Sequence, residues 1–210
     1  MRSGLDRVAA RDPEALRGIA GRRIGLVAHP ASVDASLRHA YEVLRDAGAD
    51  IRVCFGPEHG FGGEAQDMIG VGDARTPEGT PIRSLYGARF EDLAPRAEDL
   101  AELDAVVVDL ADVGSRYYTF VWTAALVLRA CAERGVETVI LDRPNPLGGE
   151  RVEGAPAREG FLSFVGLYPV SVRHGMTIGE IGVMARELEG IEPSALRVVA
   201  MEGWDPSAAF

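Results

Sequence analysis

The apolar run from Ala105 to Leu110 is the sequence feature that most limits the fold. Its letters, AVVVDL, include a single charged residue, Asp109, and lack the alternation of a strand with one face in water. Near-continuous apolar runs of this length are typical of parallel strands that are covered by helices on both faces. The run therefore predicts a central strand of a layered α/β sheet.

Further apolar runs alternate with segments of helical periodicity along the chain. Strands are predicted at 23–28, 51–55, 105–110, 137–141 and 196–201, and helices at 37–48, 117–134 and 177–189. Thr177 is the expected N-cap of the last helix, with Glu180 at capping-box spacing. This β-α-β order predicts an α/β fold with an open, mostly parallel sheet and helices on both faces.

The chain has 210 residues, which is enough for one domain with a sizeable core and short for two. Its net charge of −10 disfavours binding to nucleic acid or to anionic membranes, because like charges repel. No segment has the length and apolarity of a signal peptide or a membrane span, so a cytoplasmic location is expected. Cys54 and Cys131 fall in apolar patterns and are expected to be buried thiols rather than a disulfide.

Charged and hydrogen-bonding residues follow the predicted strands, at the edge where open α/β sheets bind their ligands. The stretch FGPEHGFGGE places Glu58 and His59 among glycines directly after the second strand, although glycine and proline alone would end that strand. The other residues at this edge are His29, Asp109, Asp112, Arg116, Tyr117, Tyr118, Asp142, Arg143, Asn145, Arg173 and His174. Their convergence on one edge predicts a functional site.

Non-catalytic roles are the alternative for several of these residues. Glu58 also fits a helix cap or an ion pair, and His59 and His174 also fit structural histidines. Asp109 also fits a turn cap, and Asp142 fits an Asx turn. A further alternative is one buried ion-pair network, whose members would be Asp112, Arg116 and Arg143.

Several reaction classes lack their motifs in this sequence. The turn after the first strand reads AHPASVD, without the glycines of a nicotinamide-binding loop, and the chain has neither a P-loop nor a GxSxG elbow. A metal-dependent hydrolase stays open as the weaker alternative, although the possible ligands match no known metal spacing. Those ligands are Glu58, His59, Asp109, Asp112 and His174. Carboxylate chemistry on a hydroxyl-rich substrate, such as glycoside cleavage without a cofactor, fits the remaining residues.

Five ordered motifs resemble the bacterial DUF1343 family: FGPEHGFGGEAQD, PIRSLYG, DLADVGSRYYTF, LDRPNPLGG and SFVGLYPVSVRHGMTIGE. The characterised members of that family are NamZ-type exo-β-N-acetylmuramidases, glycoside hydrolase family 171. The resemblance runs from about Gly25 to the C-terminal end. It implies a Rossmann-like catalytic domain over residues 1–210, a missing smaller C-terminal domain, and an active-site cleft between the two. It also implies release of terminal N-acetylmuramic acid from peptidoglycan fragments, in cell-wall turnover or recycling.

The resemblance makes Glu58 the leading catalytic residue, as the general acid, with His59 orienting it. We expect Asp112 to be the second carboxylate, acting directly or by orienting the N-acetyl group of the substrate. The lactyl carboxylate of muramic acid is expected to pair with an arginine, whose planar fork matches two carboxylate oxygens. The candidate arginines are Arg116, Arg143 and Arg173. The other expected substrate-binding residues are Tyr117 and Tyr118 on the apolar face of the sugar, His174 on a hydroxyl, and Asn145.

Two departures from the family bear on this expectation. Ala111 stands where the family usually has glutamine, so one polar side chain of the site is absent. Family members also continue well past the position of Phe210. The alternatives to a working glycosidase are therefore a non-catalytic sugar-binding remnant and one half of a split muramidase, whose partner would be a separately encoded C-terminal domain.

Overall fold

The computed structural model describes residues 1–63 and 74–208, in which seven strands form a single sheet. These are β1 (Arg23–Ala28), β2 (Asp50–Gly56), β3 (Ala74–Arg75), β4 (Pro81–Ser84), β5 (Ala105–Asp109), β6 (Glu137–Leu141) and β7 (Leu196–Val199). Their order across the sheet is β3-β4-β2-β1-β5-β6-β7, and all neighbours run parallel except β3 and β4. The predicted open, mostly parallel α/β sheet is confirmed.

Helices lie along both faces of this sheet. They are α1 (Gly4–Ala9), α2 (Pro13–Leu16), α3 (Ala40–Asp46), α4 (Ala97–Leu100), α5 (Phe120–Ala132) and α6 (Ile178–Leu188), with 3₁₀ turns at Phe90–Leu93 and Pro193–Ala195. Val106 and Val108 of β5 belong to a core cluster shared with α5 and α6. Ala105 and Val107 belong to a second cluster, shared with α1 and α3. β5 is therefore buried from both sides, as its apolar run predicts.

Two helices begin later than the sequence pattern predicts. α3 begins at Ala40 rather than near Leu37, because Leu37 has a left-handed backbone with φ of 61°. α5 begins at Phe120 rather than at Tyr117, because the preceding residues form a turn in which Ser115 pairs with Arg173. β1 and β6 have the predicted bounds. The short elements α1, α2, α4, β3 and β4 were not predicted.

The start of α6 matches the predicted capping box. The Thr177 hydroxyl accepts a hydrogen bond from the Glu180 backbone N–H at 3.2 Å. The Glu180 carboxylate accepts one in return from the Thr177 backbone N–H at 2.8 Å. These reciprocal bonds satisfy two donors at the helix start that have no partner within the helix.

The first residues of the chain are tied to its last strand region. Arg2 and Glu202 exchange backbone hydrogen bonds of 2.8 and 2.9 Å, and the Gly4 N–H donates to the Asp142 carbonyl at 2.9 Å. A Cβ at Gly4 would lie 2.7 Å from the Asp142 backbone nitrogen, so no larger residue fits there. This contact seats α1 against the ends of β6 and β7.

Two further predictions concern the cysteines and membrane association. Cys54 and Cys131 are both free and buried, as predicted. Within residues 1–63 and 74–208, no helix is long and apolar enough to cross a membrane. The last letters of the motif FGPEHGFGGEAQD, from Glu64 onward, lie outside the described residues, as does part of the predicted loop 56–79.

Candidate active site

The carboxyl ends of β1, β2, β5 and β6 lie at one edge of the sheet, because these strands run parallel. His29 follows β1, and its Nε2 accepts a hydrogen bond from the Ala111 N–H, which follows β5, at 3.1 Å. Arg143 follows β6 and reaches Asp109 at the end of β5. Segments that follow neighbouring strands therefore contact each other at this edge, His29 with Ala111 and Arg143 with Asp109.

A tight turn after β2 presents Glu58. The Gly60 N–H donates to the Pro57 carbonyl at 2.9 Å, and His59 has a left-handed backbone with φ of 74°. A Cβ at Gly56 would lie 2.3 Å from the Phe61 nitrogen, so only glycine fits there. Glu58 is half-buried and His59 is exposed. The glycines of this motif thus fold the chain back sharply and leave the Glu58 carboxylate at the sheet edge.

Thr119 holds this carboxylate and was missed by the sequence analysis. Its Oγ1 donates a hydrogen bond to Glu58 Oε2 at 2.7 Å. Thr119 occupies the N-cap position of α5, yet its side chain makes no capping hydrogen bond with the helix. It is buried, with 6% of its surface exposed. A threonine directly before an apolar helix is the only sequence signal for this residue, and that signal predicts a cap rather than a contact with Glu58.

Asp112 and His174 form a buried pair. Asp112 Oδ2 lies 3.1 Å from His174 Nε2, although the ring is not aligned for a regular hydrogen bond. The Gly114 N–H donates to the same carboxylate oxygen at 2.8 Å, and the Met176 N–H donates to His174 Nδ1 at 3.2 Å. Because Nδ1 accepts, the neutral ring carries its proton on Nε2, on the side of Asp112. The second carboxylate oxygen, Asp112 Oδ1, is buried without a hydrogen-bond partner in the described part of the chain.

Tyr118 lies near both Glu58 and Asp112. Burial raises the pKa of Tyr118, and the negative charges of Asp112 and Glu58 raise it further. Its ring packs against Phe120 with 4.7 Å between ring centroids. The phenol is therefore protonated at neutral pH and lies within the field of both carboxylates.

The arginines do not form the single network that one alternative predicted. Arg143 binds Asp109 through two hydrogen bonds, from Nε at 2.6 Å and from Nη2 at 2.7 Å. Asp109 is completely buried, so it is the partner of an ion pair rather than a turn cap. Burial raises the pKa of Asp109, and the charge of Arg143 opposes that effect. Asp112 pairs instead with His174, so the network interpretation is wrong.

The other two candidate arginines have different surroundings. Arg173 pairs with Glu153 at 2.9 Å and also donates to the Leu147 carbonyl. Arg116 is buried, and its Nη1 donates to the carbonyls of Ala155 at 2.9 Å and Val170 at 2.7 Å. Among residues 1–63 and 74–208, no carboxylate pairs with Arg116.

Asn145 and Asp142 anchor the loops behind the site. The Asn145 amide donates to the Met176 carbonyl and accepts from the Leu147 N–H, both at 2.9 Å. Asp142 accepts from the Thr177 hydroxyl at 3.0 Å, from the Gly179 N–H at 2.8 Å and from the Arg143 N–H at 3.1 Å. An Asx turn would need the N–H two residues on, which Pro144 lacks, so that interpretation of Asp142 is wrong. Both side chains therefore join the segment after β6 to the start of α6.

A cavity of about 480 Å³ opens beside Arg116. Its walls are Arg116, Tyr117, residues 155–158, Phe161, Ser163, Val165, Gly166 and Val172. Glu58 and Asp112 do not line it. Within the described residues, no three His, Cys, Asp or Glu side chains are placed to hold a metal ion.

Protonation of His29 is expected to weaken the fold. Burial lowers the pKa of His29 from 6.5 to about 4, and the charges of Arg143 and His39 act in the same direction. Because the pKa of His29 is lower in the folded state, a proton binds His29 more readily in the unfolded chain than in the folded protein. The stability that His29 contributes is complete above pH 6.5 and is lost as the pH falls toward 4, by up to about 3 kcal/mol.

The measurement is the free energy of unfolding in urea between pH 7 and pH 4.5, for the wild type and for His29→Gln. Asp142 acts with the opposite sign, because burial raises its pKa from 3.8 to about 6 and stability from this group falls as the pH rises through that range. The difference in unfolding free energy between the wild type and His29→Gln at each pH removes the contribution of Asp142, which both proteins share, and leaves that of His29. A difference that stays constant across this pH range would contradict the prediction.

Comparisons with known proteins show the family to which this chain belongs. Residues 24–210 match the family model described as exo-beta-N-acetylmuramidase NamZ, N-terminal. The chain is 39% identical over 215 residues to the peptidoglycan beta-N-acetylmuramidase NamZ of Bacillus subtilis (strain 168), covering all of this chain and 50% of that protein. Two crystal structures of DUF1343 family proteins from Bacteroides fragilis NCTC 9343 are also similar, with TM-scores of 0.85 and 0.78.

These two structures are 31% and 27% identical to the chain. The matches cover 99% and 100% of this chain but 52% and 54% of the two Bacteroides chains. The chain therefore spans about half the length of the relatives that it matches.

Proposed function

This chain belongs to the NamZ family of exo-β-N-acetylmuramidases as its N-terminal domain, and we propose that it carries the catalytic residues for releasing terminal N-acetylmuramic acid from peptidoglycan fragments. The observation that carries the proposal is the Glu58 carboxylate, half-buried in its tight turn and held by Thr119. The proposed site also includes Tyr118 and Asp112, whose buried Oδ1 has no hydrogen-bond partner within residues 1–63 and 74–208. The same proposal places the reaction in turnover or recycling of the cell wall.

In the proposed reaction Glu58 is the general acid. Its proton passes to the glycosidic oxygen while the bond between that oxygen and the anomeric carbon breaks. Because Thr119 donates to Oε2, the other oxygen, Oε1, is the one left to carry the proton toward the substrate. Water then adds to the anomeric carbon and returns a proton to Glu58, which restores the starting state.

Asp112 is proposed to orient the N-acetyl group. Its Oδ1 is an acceptor without a partner in the structure's described residues, and the N–H of an acetamido group is a matching donor. Accepting this hydrogen bond directs the acetamido carbonyl oxygen toward the anomeric carbon, where positive charge develops in the transition state. The Gly114 N–H holds Asp112 in place through Oδ2, which lies 3.1 Å from His174 Nε2.

A second candidate function is sugar binding without catalysis by this chain alone. The observation that favours it is that the chain spans about half the length of its relatives. In this case the site holds the sugar, and hydrolysis requires further residues from the remaining half of a full-length relative. The intact Glu58 contact with Thr119 favours the catalytic proposal over this one.

The test is release of nitrophenol from nitrophenyl β-N-acetylmuramide, with the matching β-N-acetylglucosaminide measured beside it. The catalytic proposal expects release from the muramide and little from the glucosaminide. A folded protein that binds N-acetylmuramic acid in calorimetry but releases no nitrophenol would overturn the catalytic proposal in favour of the second candidate.

Thr119→Val is expected to lower kcat and leave KM nearly unchanged. Valine keeps the shape of the buried side chain but removes the donor to Glu58 Oε2. Hydrogen bonds to charged groups contribute about 1.5–3 kcal/mol, which corresponds to a loss of roughly 10- to 100-fold in kcat. The matched control is Thr119→Ser, which retains the hydroxyl and should recover most of the rate. Equal losses in the serine and valine variants would contradict this positioning role.

A further inference from the structure

Arg116 is a buried arginine without a carboxylate partner in the described chain. Only 8% of its surface is exposed, and its guanidinium donates to two backbone carbonyls and to the Tyr117 hydroxyl. Burying a guanidinium without an opposite charge is costly. Arg143 and Arg173 differ in this respect, because each already has a carboxylate. Arg116 is therefore the candidate arginine with an unmet demand for an anion.

The remaining donors of Arg116 lie on one edge of its guanidinium. Nη1 is occupied by the carbonyls of Ala155 and Val170. Nη2 makes only a 3.4 Å contact with the Tyr117 hydroxyl, and Nε has no hydrogen-bond partner among residues 1–63 and 74–208. Nε and Nη2 together present two parallel N–H groups, which match the two oxygens of a carboxylate. Nη1 thus fixes the group while the Nε–Nη2 edge stays available.

The space around this edge fits a ligand with an apolar branch. Gly166 faces Arg116, and a Cβ at that position would be in van der Waals contact with Arg116, 3.5 Å from Cδ and 3.6 Å from Nε, so the glycine leaves this space beside the side chain unfilled. The cavity of about 480 Å³ is walled by the apolar side chains of Phe161, Val165 and Val172. Phe161 is 79% exposed and Val165 is 47% exposed, so both offer apolar surface to a ligand.

The charge of the whole chain adds to this argument. With a net charge of −10, the protein repels anions in general and needs a local cation to bind one. Arg116 supplies that cation, and the Tyr117 ring, 5.1 Å from the guanidinium, keeps it oriented. Arg158 also lines the cavity and adds a second positive charge.

We propose that Arg116 and this cavity form a carboxylate-binding site that takes a carboxylate carried on a short apolar branch. The inference rests on the proposed function for its natural ligand, since the lactyl ether of muramic acid has a carboxylate beside a methyl group. Arg116 is two residues from Tyr118, so the Cα atoms of these two residues lie within about 7 Å of each other. Arg116 is then the residue that distinguishes N-acetylmuramic acid from N-acetylglucosamine.

The test is calorimetric binding of N-acetylmuramic acid and of its methyl ester to the 210-residue chain. The ester keeps the shape of the lactyl group and removes its charge. The comparison therefore uses the wild-type protein alone and does not depend on whether a variant folds. We expect the acid to bind roughly 10- to 100-fold more tightly than the ester, as for a charge-assisted double hydrogen bond. In Arg116→Lys this ratio should fall severalfold, because lysine lacks the planar fork. Arg52→Lys is the matched control. Arg52 lies near the start of β2, away from the sheet edge that carries the site, so this variant should keep the wild-type ratio.

Equal affinities for acid and ester, or no binding of the acid, would overturn the carboxylate site. An unchanged ratio in Arg116→Lys would assign the carboxylate to another cation and would overturn the role of Arg116. Failure of the proposed hydrolysis gives a different result. A protein that binds the acid more tightly than the ester but cleaves no β-muramide has the carboxylate-binding site and lacks the hydrolytic activity.

Discussion

Hydrolysis of an unactivated muramyl disaccharide is expected to fall about a thousandfold when Glu58 is replaced by glutamine, since general acid catalysis typically contributes 10²–10⁴-fold. Glutamine retains an oxygen that accepts from the Thr119 hydroxyl, so the turn after β2 should keep its shape. It has no proton to give to the leaving oxygen. The measurement is kcat/KM on the disaccharide for the wild type and Glu58→Gln, with Glu133→Gln at the exposed C-cap of α5 as the matched control.

The nitrophenyl substrate sharpens this prediction. Nitrophenol is a good leaving group that departs without protonation, so its release depends far less on a general acid. We therefore expect Glu58→Gln to lose much less activity on the nitrophenyl muramide than on the disaccharide. Equal losses on the two substrates would contradict the role of general acid and would indicate that Glu58 acts on the anomeric carbon or holds the site together.

Arg143→Met is expected to lower the free energy of unfolding by about 3–5 kcal/mol, the usual cost of breaking a buried ion pair. The variant leaves Asp109 without a counter-charge at the end of β5, where none of its surface is exposed. It also removes a hydrogen bond from Nη2 to the Val33 carbonyl, 3.0 Å long, which fixes the segment after β1. Urea unfolding at pH 7 measures the loss.

Two further variants separate the ion pair from a general effect of losing an arginine. Arg23→Met removes the exposed partner of Asp104 and should change the free energy of unfolding far less. The double variant with Asp109→Asn should recover part of the loss, because the buried charge is then gone as well. A loss in Arg143→Met no larger than that in Arg23→Met would show that the pair contributes little to stability.

The sequence predicted best the features that depend on neighbouring residues. The bounds of β1 and β6 and the capping box of Thr177 and Glu180 rest on signals only a few residues apart. The burial of β5 from both sides followed from its apolar composition. The late start of α5 was not predicted, because it depends on Ser115 pairing with Arg173, 58 positions away in the sequence.

The location of the candidate site was predictable from the sequence, but most of the contacts between its residues were not. Parallel strands bring their carboxyl ends together, so the sequence placed Glu58, Asp112 and Arg143 at one edge. It did not show which carboxylate each arginine binds, because Asp109 and Glu153 are brought to their partners by the topology and by the irregular segment after β6. Thr119 was missed for the same reason, since its partner Glu58 lies 61 positions earlier.

The pairing of Arg2 with Glu202 has a consequence for the timing of folding during synthesis. The two residues are 200 positions apart, and the Gly4 contact with Asp142 also bridges most of the chain. At ribosomal rates of about 5–20 residues per second, α1 leaves the ribosome roughly 10–40 s before its docking strand is complete. During that interval Leu5 and Val8 lack Val199, the β7 member of their core cluster. α1 is therefore among the last segments of this fold to be fully packed.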